Sequence, residues 1–328
     1  MSDTNLKVIF FGSDAICLPA LRYLNSLKTN NAALRAVVSQ PDRPSGRGQQ
    51  LQPNPVAAWA RAEGIELLQP EKPDANLVKW IEAEGIKLSL VMAYGHFLPQ
   101  QIREATPSGM VNFHGSILPA LRGASPVETA LATGQSETGV SLMEVVREMD
   151  AGGVADLERV AIESTDTSVS LRAKIGEAVV PLLERNLTAL MSGTLTFKPQ
   201  DLEGVTYCRK INRSDGALDF SMSAALLESR LRAFTPWPGG YFDYQGVRIK
   251  VGSARAFEGA SGMAPGTVVS ADETGVQVAT TEGILALLEL QRPGGKMLST
   301  DAFLRGMPIE VGSILNGAPA EPLVRRVF

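Results

Sequence analysis

The chain has 328 residues, 44% of them hydrophobic and 20% charged, and its 31 Lys and Arg against 35 Asp and Glu leave a net charge of −4. That is the composition of a folded globular protein long enough for two domains of roughly 100–200 residues, and it excludes a disordered chain. No apolar run reaches the ~18 residues of a membrane span, and the two cysteines, Cys17 and Cys208, lie too far apart for a disulfide framework or a cysteine zinc site. The opening residues lack a basic region and a cleavage site, so a cytoplasmic chain without membrane contact is expected.

The apolar run Leu6 to Phe11 stops at Gly12-Ser13, a helical spacing of Leu18, Leu21, Leu24 and Leu27 follows, and a second apolar run comes at Arg35 to Val38. Strand, glycine turn, helix and strand in that order predict the start of a parallel α/β unit. Further strands are expected at 88–92, 110–114 and 139–146, with helices at 55–63 and 76–84. Right-handed crossovers then give an open, mostly parallel, Rossmann-like sheet with helices on both faces, whose ligand sits beyond the carboxyl ends of the strands. Residues 167–191 read as one long helix, and prolines and polar residues around 198–204 read as a linker. Beyond it a helix over 221–234 is broken by Pro236-Trp237-Pro238-Gly239-Gly240, and short runs follow at 241–244, 247–251, 266–269, 275–279 and 284–290. That texture predicts a small β-barrel or sandwich, and an OB-like β-barrel is the form expected for this domain. The expected division is therefore a domain at 1–195, a linker at 196–207 and a barrel domain at 208–328. Residues 205–328 carry net +1, which permits a nucleic-acid partner without identifying one.

Only two histidines are present, His96 and His114. His114 ends an apolar run, and the two-residue period of a strand puts Asn112 on the same side. An amide can donate to a developing oxyanion and an imidazole can move a proton near neutral pH, whereas the bland alternative is a hydrogen-bonded pair closing a strand. Asp150 precedes Ala151-Gly152-Gly153, a turn that could swing a carboxylate over a site or merely be capped by it. Ser116 has no nucleophile-elbow spacing, and phosphate-loop, dinucleotide and zinc-protease patterns are absent. The loop from Ser116 to Pro126 could line an apolar pocket for a flat ligand or be a plain connection. The long stretch from Gln40 to Pro55, with Arg43 and Arg47, reads either as surface without structure or as an arm that grips phosphate.

The run Asn112-Phe113-His114-Gly115-Ser116-Ile117-Leu118-Pro119, the following Arg122-Gly123-Ala124-Ser125-Pro126, and Asp150 resemble the folate-dependent formyltransferases over nearly the whole chain. Within that family, Gln40 to Gly48 looks like the inserted loop, and Arg232 to Gly239 like the C-terminal domain, of the members that act on methionyl-tRNA. The resemblance implies formyl transfer from 10-formyltetrahydrofolate to the α-amino group of methionyl initiator tRNA, without a metal. It implies Asn112, His114 and Asp150 as the catalytic trio, and Ser116, Ile117, Leu118 and Pro119 with the strand end Leu90, Val91 and Met92 around the folate. Arg43 and Arg47 would meet the tRNA with the barrel domain, and a monomer is expected. An amino-sugar nucleotide as acceptor, a formate-releasing hydrolase and a non-catalytic RNA-binding protein remain open alternatives.

Overall fold

A computed structural model describes residues 6–27, 32–45, 48–259 and 262–326. The first half runs β1 (Leu6–Phe11), α1 (Leu18–Ser26), β2 (Ala32–Val38), β3 (Arg43–Ser45), β4 (Gln50–Gln52), α2 (Pro55–Ala62), β5 (Glu66–Leu68), α3 (Ala75–Ala83), β6 (Ile86–Val91), α4 (Gln100–Arg103) and β7 (Met110–His114). It continues through β8 (Arg122–Gly123), α5 (Pro126–Ala132), β9 (Glu137–Glu144), β10 (Val154–Ala161) and α6 (Ser168–Ser192). The remainder is β11 (Thr206–Cys208), α7 (Ala224–Ala233), β12 (Gly240–Tyr244), β13 (Val247–Phe257), β14 (Val268–Asp272), β15 (Gly275–Ala279), β16 (Ile284–Gln291), β17 (Leu298–Ser299), α8 (Thr300–Gly306) and β18 (Val324–Arg326).

Two compact units share this chain: Met1–Arg122 with Thr138–Val160 and Arg172–Val205, and Gly123–Glu137 with Ala161–Leu171 and Thr206–Phe328. One cut at 196–207 does not reproduce this division. The segment 123–137 joins the second unit because α5 packs against α7, with the Gly134 position beside Leu226.

The first unit carries a seven-stranded sheet in the order β10-β9-β7-β6-β1-β2-β5. The pairs β1–β2, β1–β6, β2–β5 and β6–β7 are parallel, and β7–β9 is antiparallel. The order leaves β1 in one direction toward β2 and β5 and in the other toward β6 and β7, which makes a switch point beside β1. Local chemistry sets the helix starts. Asn54 caps α2 by accepting from the Ala57 N–H, with Pro55 at its first position, and Asp74 caps α3 through the N–H groups of Asn76 and Leu77. The strand cores, such as Ile9, Phe11, Ala36, Val38 and Val91, are buried with Leu77, Ile81 and Ile102 of the covering helices. The stretch between Gln40 and Pro55 is not structureless: β3 and β4 form an antiparallel hairpin pairing Arg43 with Gln52.

The second unit holds a sheet in the order β12-β13-β16-β15-β14, with β17 paired to β16. In β12 the alternation puts Gly240, Phe242 and Tyr244 inward, where they meet Leu227, Leu231, Ile249 and Leu287 in one core. The two outer strands are then joined by the segment 312–316. Asp243 and Asn316 exchange both backbone hydrogen bonds, and Val268 is bonded to Gly312 and Ser313 on the other side. The segment thus bonds to both edges, at Asp243 of β12 and Val268 of β14, as closing a small barrel requires.

Candidate active site

His114 is the last residue of β7 and is buried, its side chain 6% exposed. Its two neighbours in the ladder fix the ground around it: Asn112 pairs with Val91 of β6, and His114 itself pairs with Ser141 of β9. Ser141 then shapes the following loop, donating to the Ser116 carbonyl at 2.8 Å and accepting from the Leu118 N–H at 3.0 Å. The Ser116 hydroxyl donates to the Ala120 carbonyl at 2.6 Å. That hydroxyl closes the loop and is not presented as a nucleophile.

The loop ends at Leu121, whose φ of +57° turns its carbonyl back so that it lies 2.9 Å from His114 Nε2. A carbonyl oxygen can only accept, so this contact places a proton on Nε2 and leaves the Nδ1 lone pair facing the other way. On that side stands Asp150, with Oδ2 3.6 Å from Nδ1. The separation exceeds a hydrogen bond, and what it supplies is a negative charge beside the nitrogen that would take up a proton. Sequence spacing alone did not show that Asp150 meets His114. The structure brings them together, while Asn112 shares the His114 face of β7 by the alternation of the strand.

Asp150 reaches this position through a strained turn. Its φ is +52°, in the left-handed region that side chains with a Cβ rarely adopt. Gly152, two residues on, has no room for a Cβ because the Glu144 carbonyl occupies the place, and the Gly153 carbonyl accepts from the Glu144 N–H at 3.0 Å. The turn is thus pressed onto the end of β9. Gln200 is bonded to the same turn, and Arg122 to Gln200. Gln200 was not singled out in the sequence, where it lies among prolines and polar residues in what reads as a linker; only a contact 50 residues away gives it a role.

The remaining sequence candidates separate into groups. Leu118 and Pro119 line a cavity of about 350 Å³ together with Val154, Lys198 and Gln200. Ile117 is half-buried in the same loop, whereas Ser116 is almost wholly buried. Leu90 and Val91 are buried strand residues whose backbone is paired on both sides, and Met92 donates its N–H to Phe11 and receives the Cys17 thiol on its carbonyl at 3.1 Å. Burial pushes the Cys17 thiol up to about 12, so it stays protonated and unreactive. A second cavity, about 410 Å³, opens beyond the ends of β1 and β2 and is lined by Ser13, Gln40, Arg43, Asn54 and Tyr94. Arg43 is exposed on the hairpin with Nη2 3.1 Å from Glu71 Oε2. Arg47 lies outside the described residues. Among those described, no three His, Cys, Asp or Glu side chains gather as a metal site, and no helix is long and apolar enough to cross a membrane.

The formyl transferase family pattern matches residues 6–186, and that of the formyl transferase C-terminal domain matches residues 210–308. The chain is 38% identical over 324 residues to the methionyl-tRNA formyltransferase of Delftia acidovorans, covering 95% of this chain and 98% of that protein. It is 37% identical over 322 residues to the methionyl-tRNA formyltransferase of Paraburkholderia phymatum, covering 95% and 97%. The chain belongs to the methionyl-tRNA formyltransferase family. Among solved structures, the N-formyltransferase from Helicobacter canadensis, in complex with folinic acid and dTDP-3-aminofucose, superimposes with a TM-score of 0.63 at 17% identity, over 86% of this chain and 99% of that one. At that identity the likeness speaks for the fold, which this formyltransferase shares.

Proposed function

We propose that this chain moves the formyl group of 10-formyltetrahydrofolate onto the α-amino group of methionine carried by initiator tRNA. The observation that supports it most is His114, held by the Leu121 carbonyl on one nitrogen and facing Asp150 with the other, at the end of the strand that also carries Asn112. When bound, the folate supplies a formyl carbon already activated on a nitrogen. The protein's share is charge and proton handling. The Asn112 amide donates to the formyl oxygen as negative charge gathers there, a contribution worth about 3 kcal/mol for one well-placed donor. His114 Nδ1 receives the proton that the attacking amine must lose, Asp150 stabilises the imidazolium so formed, and Nδ1 returns the proton to the departing nitrogen. The loop Ser116–Pro119 and the strand end Leu90–Met92 flank the folate in this reading, and Leu118 and Pro119 already line a cavity within the ~300–1,000 Å³ range of small-molecule sites.

For the tRNA, the hairpin β3–β4 presents Arg43 to solvent. Its partner Glu71 is still more exposed, and such surface pairs are worth ~0–1 kcal/mol, so the guanidinium can exchange that carboxylate for a phosphate at little cost. In the second unit, Arg248 lies 4.0 Å over the Tyr241 ring on the β12–β13 hairpin, a stacked cation of the kind that receives nucleic-acid backbone and bases.

The test is mass spectrometry of methionyl-tRNA after incubation with the protein and 10-formyltetrahydrofolate. Formyl-methionine on the tRNA is the expected product. Formate released without an acceptor, or formyl transfer only to an amino-sugar nucleotide, would replace this reading with a hydrolase or a sugar formyltransferase.

A further inference from the structure

The Asp150 turn is held from below by one side chain. Gln200 Nε2 donates both of its protons to that turn, to the Asp150 carbonyl at 2.8 Å and to the Gly152 carbonyl at 2.7 Å. Its Oε1 accepts from Arg122, at 3.1 Å from Nε and 2.8 Å from Nη2. Arg122 is almost fully buried. A guanidinium can only donate, so the amide oxygen must face it and the amide nitrogen must face the two carbonyls; the orientation is dictated by chemistry. The backbone two residues earlier is fixed too, since Lys198 and Val154 exchange both of their hydrogen bonds.

The bonds close a circuit. Asp150 faces His114 Nδ1, His114 Nε2 meets the Leu121 carbonyl, Leu121 is covalently followed by Arg122, Arg122 grips Gln200, and Gln200 grips the backbone of Asp150. Leu121 and Asp150, which face the two ring nitrogens, both sit in left-handed backbone, which a residue with a Cβ adopts only at a cost. Such conformations persist only where surrounding bonds over-determine them. We infer that Gln200, oriented by Arg122, is a positioning residue for formyl transfer: it holds the Asp150 turn in the backbone conformation that delivers the carboxylate to His114. The inference rests on the reading of Asp150 given above.

The experiment is a kinetic cycle on the full-length protein with 10-formyltetrahydrofolate and methionyl-tRNA, using Gln200→Ala, Gln200→Glu, Asp150→Ala and the double variant Gln200→Ala/Asp150→Ala. Loss of the grip shifts the turn, and misplacement by ~1 Å can cost about 100-fold, so kcat of Gln200→Ala falls on that order, well beyond any change in KM for the folate, whose cavity Gln200 also lines. Gln200→Glu keeps the acceptor for Arg122 but turns an oxygen toward two carbonyls, and kcat falls at least as far. In the Asp150→Ala background, Gln200→Ala brings no further loss. Thermal unfolding confirms that the variants fold, and the near-isosteric Gln200→Glu stands in should Gln200→Ala unfold. Wild-type kcat in Gln200→Glu, or an undiminished loss from Gln200→Ala on top of Asp150→Ala, overturns the inference. A wild-type rate in Asp150→Ala alone overturns the underlying reading of Asp150 instead.

Discussion

Two aspartates in turns, Asp150 in the first unit and Asp215 in the second, are held in different ways. Asp215 is 2% exposed at its side chain and is saturated locally: Arg209 forks onto both oxygens at 2.6 and 2.8 Å, and the Asn212 N–H donates to Oδ2 at 2.6 Å. Burial alone pushes its carboxyl up, but the Arg209 fork and the Asn212 N–H outweigh it and hold the group below the usual carboxylate range. Asp150 is gripped through its backbone carbonyl and points its carboxylate at an imidazole 3.6 Å away, with 17% of the side chain exposed. A carboxylate that serves stability is enclosed by its own donors. Asp150, in the proposed reaction, would be set by bonds to its main chain, with its carboxylate beside the imidazole.

The comparison can be broken from either side. Replacing Asp150 by Asn keeps the shape and removes the charge, and turnover should fall roughly 1,000-fold with the unfolding midpoint unchanged; steady-state formyl transfer beside thermal melting reads both. Replacing Asp215 by Ala should do the reverse, destabilising the second unit by about 2 kcal/mol because Arg209 loses one of its partners and the Asn212 N–H loses its acceptor, as urea unfolding will show. A milder version uses acid. Because the folded carboxyl of Asp215 is depressed, its contribution is complete above the ordinary carboxylate pKa of about 4 and is lost as pH falls through the depressed value. Unfolding curves measured from neutral pH downward should therefore converge for wild type and Asp215→Asn in strong acid. The smallest effect is expected at Arg43, where Ala should weaken methionyl-tRNA binding modestly and lower the slope of its salt dependence by about 1, with folate binding unchanged.

How much of this could be read in advance follows from where the information lies. Strands with a buried face were legible: 6–11, 110–114 and 275–279 have the observed bounds because apolar runs and turn residues mark them directly. The hairpin β3–β4 was not, since β4 is exposed along its length and so carries no alternation. The strand β10 was missed for a similar reason, being half-buried through most of its residues. The closing segment 312–316 of the barrel has no periodicity and is defined by its partners on two strands. Among the candidate site residues, Asn112, His114 and Asp150 could be picked out by type at a strand end and a turn, but only the family resemblance favoured chemistry over a hydrogen-bonded strand end and a capped turn. Leu121 acts through a carbonyl that any residue could offer, and Gln200 acts across 50 positions, so neither leaves a mark in the local pattern.

The tautomer of His114 tests the account most directly. The chain has only two histidines, so protein labelled with nitrogen-15 histidine gives a two-residue spectrum in which His114 is assigned by loss of its signals in His114→Ala. For the neutral ring, the Leu121 contact predicts a protonated Nε2 and a bare Nδ1 facing Asp150. A neutral ring carrying its proton on Nδ1 would contradict the proton path through that nitrogen.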